Sequence, residues 1–194
     1  MSLPTGSRKP TWLVGGLLGL WGLGCAGFQP RAPLPAPQAD PAGDPRSLVV
    51  PFYPDKTDQC GPAALASVLS FWGRGVDART LKKEIYLAHL KGALAIDLLI
   101  AAQDRGFQAQ LYEGDIEDLK TQVREGRPII AFINRGTRMF PIGHYVVVTG
   151  YSESRRGLFV HSGDTPNRFV PTSRFLKQWE KTSRTTLRID GPVP

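Results

Sequence analysis

An α+β domain is predicted, with helical spacing in the first half of the chain and strand spacing in the second. A Cys-Gly-Pro step stands where the first helix begins. In Asp58-Gln59-Cys60-Gly61-Pro62-Ala63-Ala64-Leu65-Ala66, Pro62 suits the first helical turn, where a missing N–H costs nothing. Ala64, Leu65, Val68, Leu69 and Trp72 then recur at helical spacing, and Gly73 is a fitting stop. Cys60 is therefore expected at the positive end of a buried helix. That position lowers a thiol pKa and aims backbone N–H groups at an oxyanion. Cysteine also packs often as a small buried hydrophobe, so the motif carries both readings.

The other elements follow in order. Val49 to Tyr53 is an apolar run, a strand or an extended lead into the domain. Thr80 to His89 reads as a helix with Leu81, Ile85 and Ala88 on one face. Ala95 to Arg105 reads as another, with Ile96, Leu99 and Ile100 inward and Gly106 as its stop. Gln108 to Tyr112 is a strand. Asp115 caps a helix carrying Ile116, Leu119 and Val123, closed by Gly126. Pro128 to Asn134, His144 to Tyr151 and Leu158 to His161 read as strands, and Tyr145-Val146-Val147-Val148 is apolar on both faces, as in a central strand. Thr172 or Ser173 caps a short helix with Phe175, Leu176 and Trp179 inward, and Thr185 to Ile189 is the last strand.

The segment ahead of this domain has a different character. Residues 1–25 read as a targeting segment, with Arg8 and Lys9 followed by an uncharged apolar stretch from Trp12 to Leu23. That stretch is short for a membrane span and suits a signal-peptide core. Gly22-Leu23-Gly24-Cys25 resembles a bacterial lipobox, whose cysteine becomes the lipidated first residue of the mature protein. It departs from the usual pattern in having Gly22 three residues before the cysteine, where leucine is usual. Residues 26–48, with Pro30, Pro33, Pro35, Pro37, Pro41 and Pro45, read as a tether, leaving 49–190 as the folded domain. The expectation is an exported lipoprotein anchored to a membrane of the bacterial cell envelope through Cys25.

At 194 residues and 41% hydrophobic residues, the chain can bury one sizeable core. The formal net charge is +7, but the basic residues are scattered rather than massed, which argues against a nucleic-acid partner. No CxxC or HxxxH spacing points to a zinc site, and no cofactor is called for. With Cys25 lipidated, Cys60 would be the only thiol left, and an unpaired cysteine in an exported domain reads as a reactive one.

A cysteine nucleophile needs a base, and the base needs an orienting group. His144 has the best context of the histidines, because it opens the most strongly β-forming strand just after Gly143. His89 and His161 read as structural. Asp164 ends the next strand, and a hairpin would return it to His144; in Gly163-Asp164-Thr165-Pro166 it reads equally as a turn residue.

Three segments together carry a resemblance: Gln59 to Ala66, Gly143 to Val148, and Val160-His161-Ser162-Gly163-Asp164. They resemble the bacteriocin-processing double-glycine leader peptidases, and more closely the stand-alone exported relatives of that family, over about Pro51 to Asp190. The resemblance implies a papain-like fold, N-terminal helices packed on a C-terminal antiparallel sheet. It implies Cys60 as nucleophile, His144 as general base and acid, and hydrolysis of a peptide or protein substrate through a thioester. Two departures stand out. The family's aspartate falls on Ser162 here, with Asp164 two residues beyond, which leaves Asp164, more weakly Ser162, or a backbone carbonyl as the expected orienter of His144. The family's oxyanion glutamine, about six residues before the cysteine, is replaced by Pro54, with Gln59 beside the thiol instead. No ATP-binding motif or transporter segment accompanies the domain, so double-glycine specificity is not carried over. The competing expectations are a Cys-dependent acyl or peptidyl transferase and an inactive papain-like lipoprotein that binds peptides or an envelope partner.

Overall fold

A computed structural model describes residues 38–39, 46–55 and 58–192. The targeting segment, Cys25 and most of the expected tether lie outside the described residues. Among the described residues, no helix is long and apolar enough to cross a membrane.

The helices come first in the chain. They are α1 (Cys60–Phe71), α2 (Ala78–Ile85), α3 (Ala95–Gln103), α4 (Ile116–Arg124) and, late in the chain, α5 (Thr172–Trp179). The strands are β1 (Gln38–Ala39), β2 (Arg46–Ser47), β3 (Phe107–Glu113), β4 (Ile129–Asn134), β5 (Gly143–Ser152), β6 (Gly157–Ser162), β7 (Thr165–Pro171) and β8 (Thr185–Pro192). They form one antiparallel sheet in which β7-β6-β5-β4-β8-β3 are neighbours in that order, while β1 and β2 pair with each other and β2 meets the end of β5 at Gly150 and Tyr151, beyond the stretch that β4 covers. The α+β expectation holds, helices before sheet.

β5 is the central strand, as its doubly apolar run implied; all its residues after Gly143 are buried. It sets Tyr145 opposite Phe132 and His144 opposite Ile133 on β4. α1 packs on this strand and is buried from Gly61 to Leu69. It is the core helix of the domain, with Leu65, Val68 and Leu69 at 0% exposure. Truncating Leu65→Ala is expected to cost roughly 3 kcal/mol of stability, read as a lower urea midpoint with unchanged slope. The tryptophans that close the core satisfy their indole N–H groups: Trp72 Nε1 donates to the Ile189 carbonyl at 2.9 Å, and Trp179 Nε1 to that of Thr185 at 3.2 Å.

Several elements differ from the sequence reading. The domain begins before residue 49. Arg46 and Ser47 pair with Tyr151 and Gly150, and Leu48 is 2% exposed in the core. α2 ends at Ile85 rather than continuing to His89, because Leu87 bonds back to Gly92 and turns the chain. α3 turns a different face inward. Leu98, Ala101 and Ala102 are buried, while Ile96 and Ile100 stand 47% and 46% exposed, since two alanines let the helix approach its neighbours closely. β7 went unread because it is an edge strand of mostly exposed polar residues around Pro166. α5 starts at Thr172 behind Pro171 and makes no side-chain cap.

Candidate active site

Three separate elements deliver the site. α1 presents Cys60 at its first position, behind Gln59. Its first backbone bond runs from the Ala63 N–H to the Gln59 carbonyl at 2.9 Å. The N–H groups of Cys60 and Gly61 therefore have no carbonyl within the helix, and Pro62 has none to satisfy. Space at Gly61 is tight: a Cβ there would lie 3.2 Å from Ala93 Cβ and 3.3 Å from Leu98 Cδ1. β5 presents His144, buried at 5% exposure. Gly143 precedes it because a Cβ there would meet the Phe132 ring at 2.7 Å.

The third element is the extended segment ahead of α1. The Leu48 N–H bonds to the Thr149 carbonyl at 2.7 Å and the Asp55 N–H to the Gly163 carbonyl at 2.8 Å. His161 fastens the middle of the segment, with Nε2 donating to the Val50 carbonyl at 3.0 Å while Nδ1 accepts the Asn167 N–H at 3.1 Å. Both its ring nitrogens are used in holding backbone, as a structural histidine requires. His89 is exposed in a short turn.

This segment sets Asp55 beside the thiol. A carboxylate oxygen of Asp55, Cys60 Sγ and a ring nitrogen of His144 all lie within 4.8 Å of one another. Asp55 Oδ1 accepts the Gln59 N–H at 2.8 Å, which ties the carboxylate to the start of α1. The residue that reaches the thiol from upstream is thus Asp55, one after the Pro54 singled out in the sequence. The signal that could have found it was its charge, five residues before a reactive cysteine. The three atoms could serve a divalent cation, but a tetrahedral zinc site holds its donors only roughly 3.5 Å apart, given Zn–S and Zn–N bonds of ~2.3 and ~2.0 Å.

His144 Nε2 lies 3.0 Å from Ser162 Oγ, on β6. That leaves Nδ1 as the nitrogen for the thiol. Ser162 is therefore the partner of the imidazole, and the expectation for Asp164 is corrected. Asp164 is exposed, its carboxylate accepting the Thr165 hydroxyl at 3.0 Å, and it makes no bond to His144. The reason is the turn: Gly163 takes φ +64 and swings the following residue out of the β6 line.

Burial pushes the Cys60 thiol above its ordinary range; the Asp55 carboxylate pushes it the same way, against the backbone N–H groups of Tyr145, Gly61 and Cys60 itself. Burial, followed by the charges of Arg135 and Arg168, lowers His144 from 6.5 to about 4. Both shifts favour the neutral thiol and the neutral imidazole at neutral pH. His161 is also lowered, chiefly by burial. These depressed values have a sign for stability. Unfolded imidazoles bind protons below about pH 6.5 while the folded ones resist, so stability present above that pH is lost as pH falls toward 4. His144 alone would account for a loss on the order of 3 kcal/mol. Thermal melts between pH 7.5 and 4 should show Tm falling through this window; a flat Tm would contradict two buried neutral imidazoles.

Cys60 stands between two clefts. One, of about 460 Å³, is lined by Leu94, Phe132, Pro141, Tyr145 and Lys181. The other, of about 430 Å³, is lined by Asp55, Lys91, Arg135, His144 and Gly163. Tyr145 Oη donates to the Ala93 carbonyl at 3.0 Å, holding one wall of the apolar cleft in place.

The same architecture occurs in solved structures. The peptidase domain of Streptococcus ComA, a bifunctional ABC transporter of a quorum-sensing pathway, superposes with a TM-score of 0.61 at 23% identity, covering 72% of this chain and 97% of that one. A double-glycine-motif protease from an AMS/PCAT transporter, solved with its leader peptide, gives a TM-score of 0.61 at 23% identity over 76% of this chain and 94% of the other. A C39-like peptidase from Bacillus anthracis gives 0.60 at 19% identity over 75% and 96%. At these identities the likeness is one of fold, and it bears out the papain-like expectation. No curated protein matches the chain. The sequence profile described as the Peptidase_C39 like family matches residues 47–187, most of the chain, and the protein belongs to that family.

Proposed function

We propose that this protein is a cysteine peptidase that hydrolyses peptide bonds through a thioester on Cys60. The observation that carries the reading is the placement of Cys60 Sγ within 4.8 Å of a His144 nitrogen, between two clefts and below orphan helix N–H groups. A peptide lying across both clefts would set its scissile carbonyl over the sulfur. Sγ attacks the carbonyl carbon as His144 Nδ1 takes the thiol proton. The oxyanion turns to the Cys60 and Gly61 N–H groups. The C–N bond then breaks, His144 returns its proton to the leaving amine, and the acyl group stays on Sγ. Water, deprotonated by the same imidazole, hydrolyses the thioester and restores the thiol. Ser162 holds the ring in register through both steps.

The apolar cleft favours substrates with hydrophobic residues on that side of the bond. Lipid anchoring through Cys25 and residence in the bacterial envelope belong to the same proposal, supported by the lipobox-like Gly22-Leu23-Gly24-Cys25 and the proline-rich stretch after it. The test is a peptide library incubated with the purified protein and read by mass spectrometry. Cleavage that disappears in Cys60→Ala supports the peptidase; cleavage that survives it, or none across the library, refutes it. The Asp55 carboxylate beside the thiol favours a second reading, a peptide-binding relative with little turnover. Peptides retained by the protein without being cut would select it.

A further inference from the structure

A further cavity of about 360 Å³ adjoins the site at Arg135 and Ser162. Arg135, Arg168 and Arg174 converge on it from the end of β4, from β7 and from the first turn of α5. Val146, Val160 and Phe175 lie behind the arginines, each almost wholly buried, so the surface that the cavity exposes is mainly polar. Phe169, which also lines it, carries Arg155 stacked 3.9 Å above its ring.

These arginines differ from others on the surface. Arg79, Arg105, Arg127, Arg184 and Arg188 each lie against a carboxylate. Among the described residues, no carboxylate pairs with Arg135, Arg168 or Arg174, and none of the side chains lining the cavity is acidic. Guanidinium groups gathered without counter-charge repel one another, and an anion in their midst reverses that cost. Their planar, multiply donating forks fit a phosphate in particular.

We propose that this cavity binds a phosphate group. It reaches the catalytic pair through Ser162, which lines it and lies 3.0 Å from His144 Nε2, and through Arg135, which also lines the Cys60 cleft. The charges that face His144 are Arg135 and Arg168 on this side and Asp55, beside Cys60, on the other. A bound anion offsets the first two and makes the imidazole a stronger base. An occupied cavity would thus switch the thiol toward reactivity.

The binding test needs no turnover, so it stands or falls apart from the peptidase reading. Calorimetric titration of the protein with octyl phosphate and with inorganic phosphate is expected to give saturable binding of octyl phosphate. Affinity should fall at least ~10-fold in the Arg168→Gln/Arg174→Gln double variant, whose exposed positions leave the core untouched. Inorganic phosphate is expected to bind with similar affinity, since the arginines recognise the phosphate itself; binding of octyl phosphate alone overturns that recognition. Binding unchanged in the double variant, or absent for both probes up to 10 mM (roughly the weak end of useful affinity), overturns the site. Cys60 alkylation at pH 7 should speed up with octyl phosphate in the parent protein alone. A rate that stays constant, or moves equally in both proteins, overturns the link to His144.

Discussion

Replacing His144 by alanine should lower both peptide turnover and the alkylation rate of Cys60 at pH 7, turnover by ~10²–10⁴-fold. The neutral state of the pair gives this prediction its form. His144 is lowered to about 4 and the thiol is pushed above its ordinary range, and both shifts disfavour a stored thiolate–imidazolium pair. The imidazole then acts by taking the proton as the sulfur attacks. The alkylation profile against pH should accordingly rise only at alkaline pH, without the acid-side plateau of a preformed ion pair. Such a plateau below pH 7 would show that the site stores the ion pair after all. Ser162→Ala, which frees the ring but leaves it in place, should cost less than His144→Ala and should lower kcat with little change in KM.

Asp55→Asn should move activity in the opposite direction, raising Cys60 reactivity and any peptide turnover by ~10-fold or more. Asparagine is isosteric with aspartate, so it can keep Oδ1 on the Gln59 N–H at 2.8 Å. It removes a negative charge that opposes thiolate formation. It also turns an acceptor-only carboxylate into a group with N–H donors, close to where the oxyanion forms. Removing a single such donor elsewhere typically costs ~10²–10³ in rate, which bounds the gain from adding one. Kinetics on the best library peptide and alkylation by iodoacetamide check the prediction together. A variant slower than the parent in both would mean that Asp55 itself assists the chemistry.

The elements with strong local signals were legible in the sequence. The start of α1 at Cys60 follows from Pro62 and the apolar spacing after it. β5 follows from its unbroken run of Tyr145 to Val148, and the start of α4 from Asp115, whose carboxylate accepts the Asp118 N–H at 2.8 Å. What failed had weak or competing local signals. Ile96 and Ile100 are as apolar as any core residue, and only the close approach allowed by Ala101 and Ala102 decides which face of α3 turns inward. β7 has no apolar period because it is an edge, and its pairing with β6 alone makes it a strand.

The site divides along the same line. Cys60 and His144 were readable because each sits at the start of a strongly patterned element, which says where its side chain emerges. By itself the sequence determined the two side chains that meet at the site and the order of helices and sheet. Tertiary structure decided the partners of those groups. Ser162 rather than Asp164 reaches His144, because Gly163 turns the chain immediately after it. Asp55 meets the thiol because His161 and Gly163 bind the extended segment to the sheet. Three arginines from three elements share one cavity. Each is a matter of separation in space between residues far apart in the chain, which local periodicity does not encode.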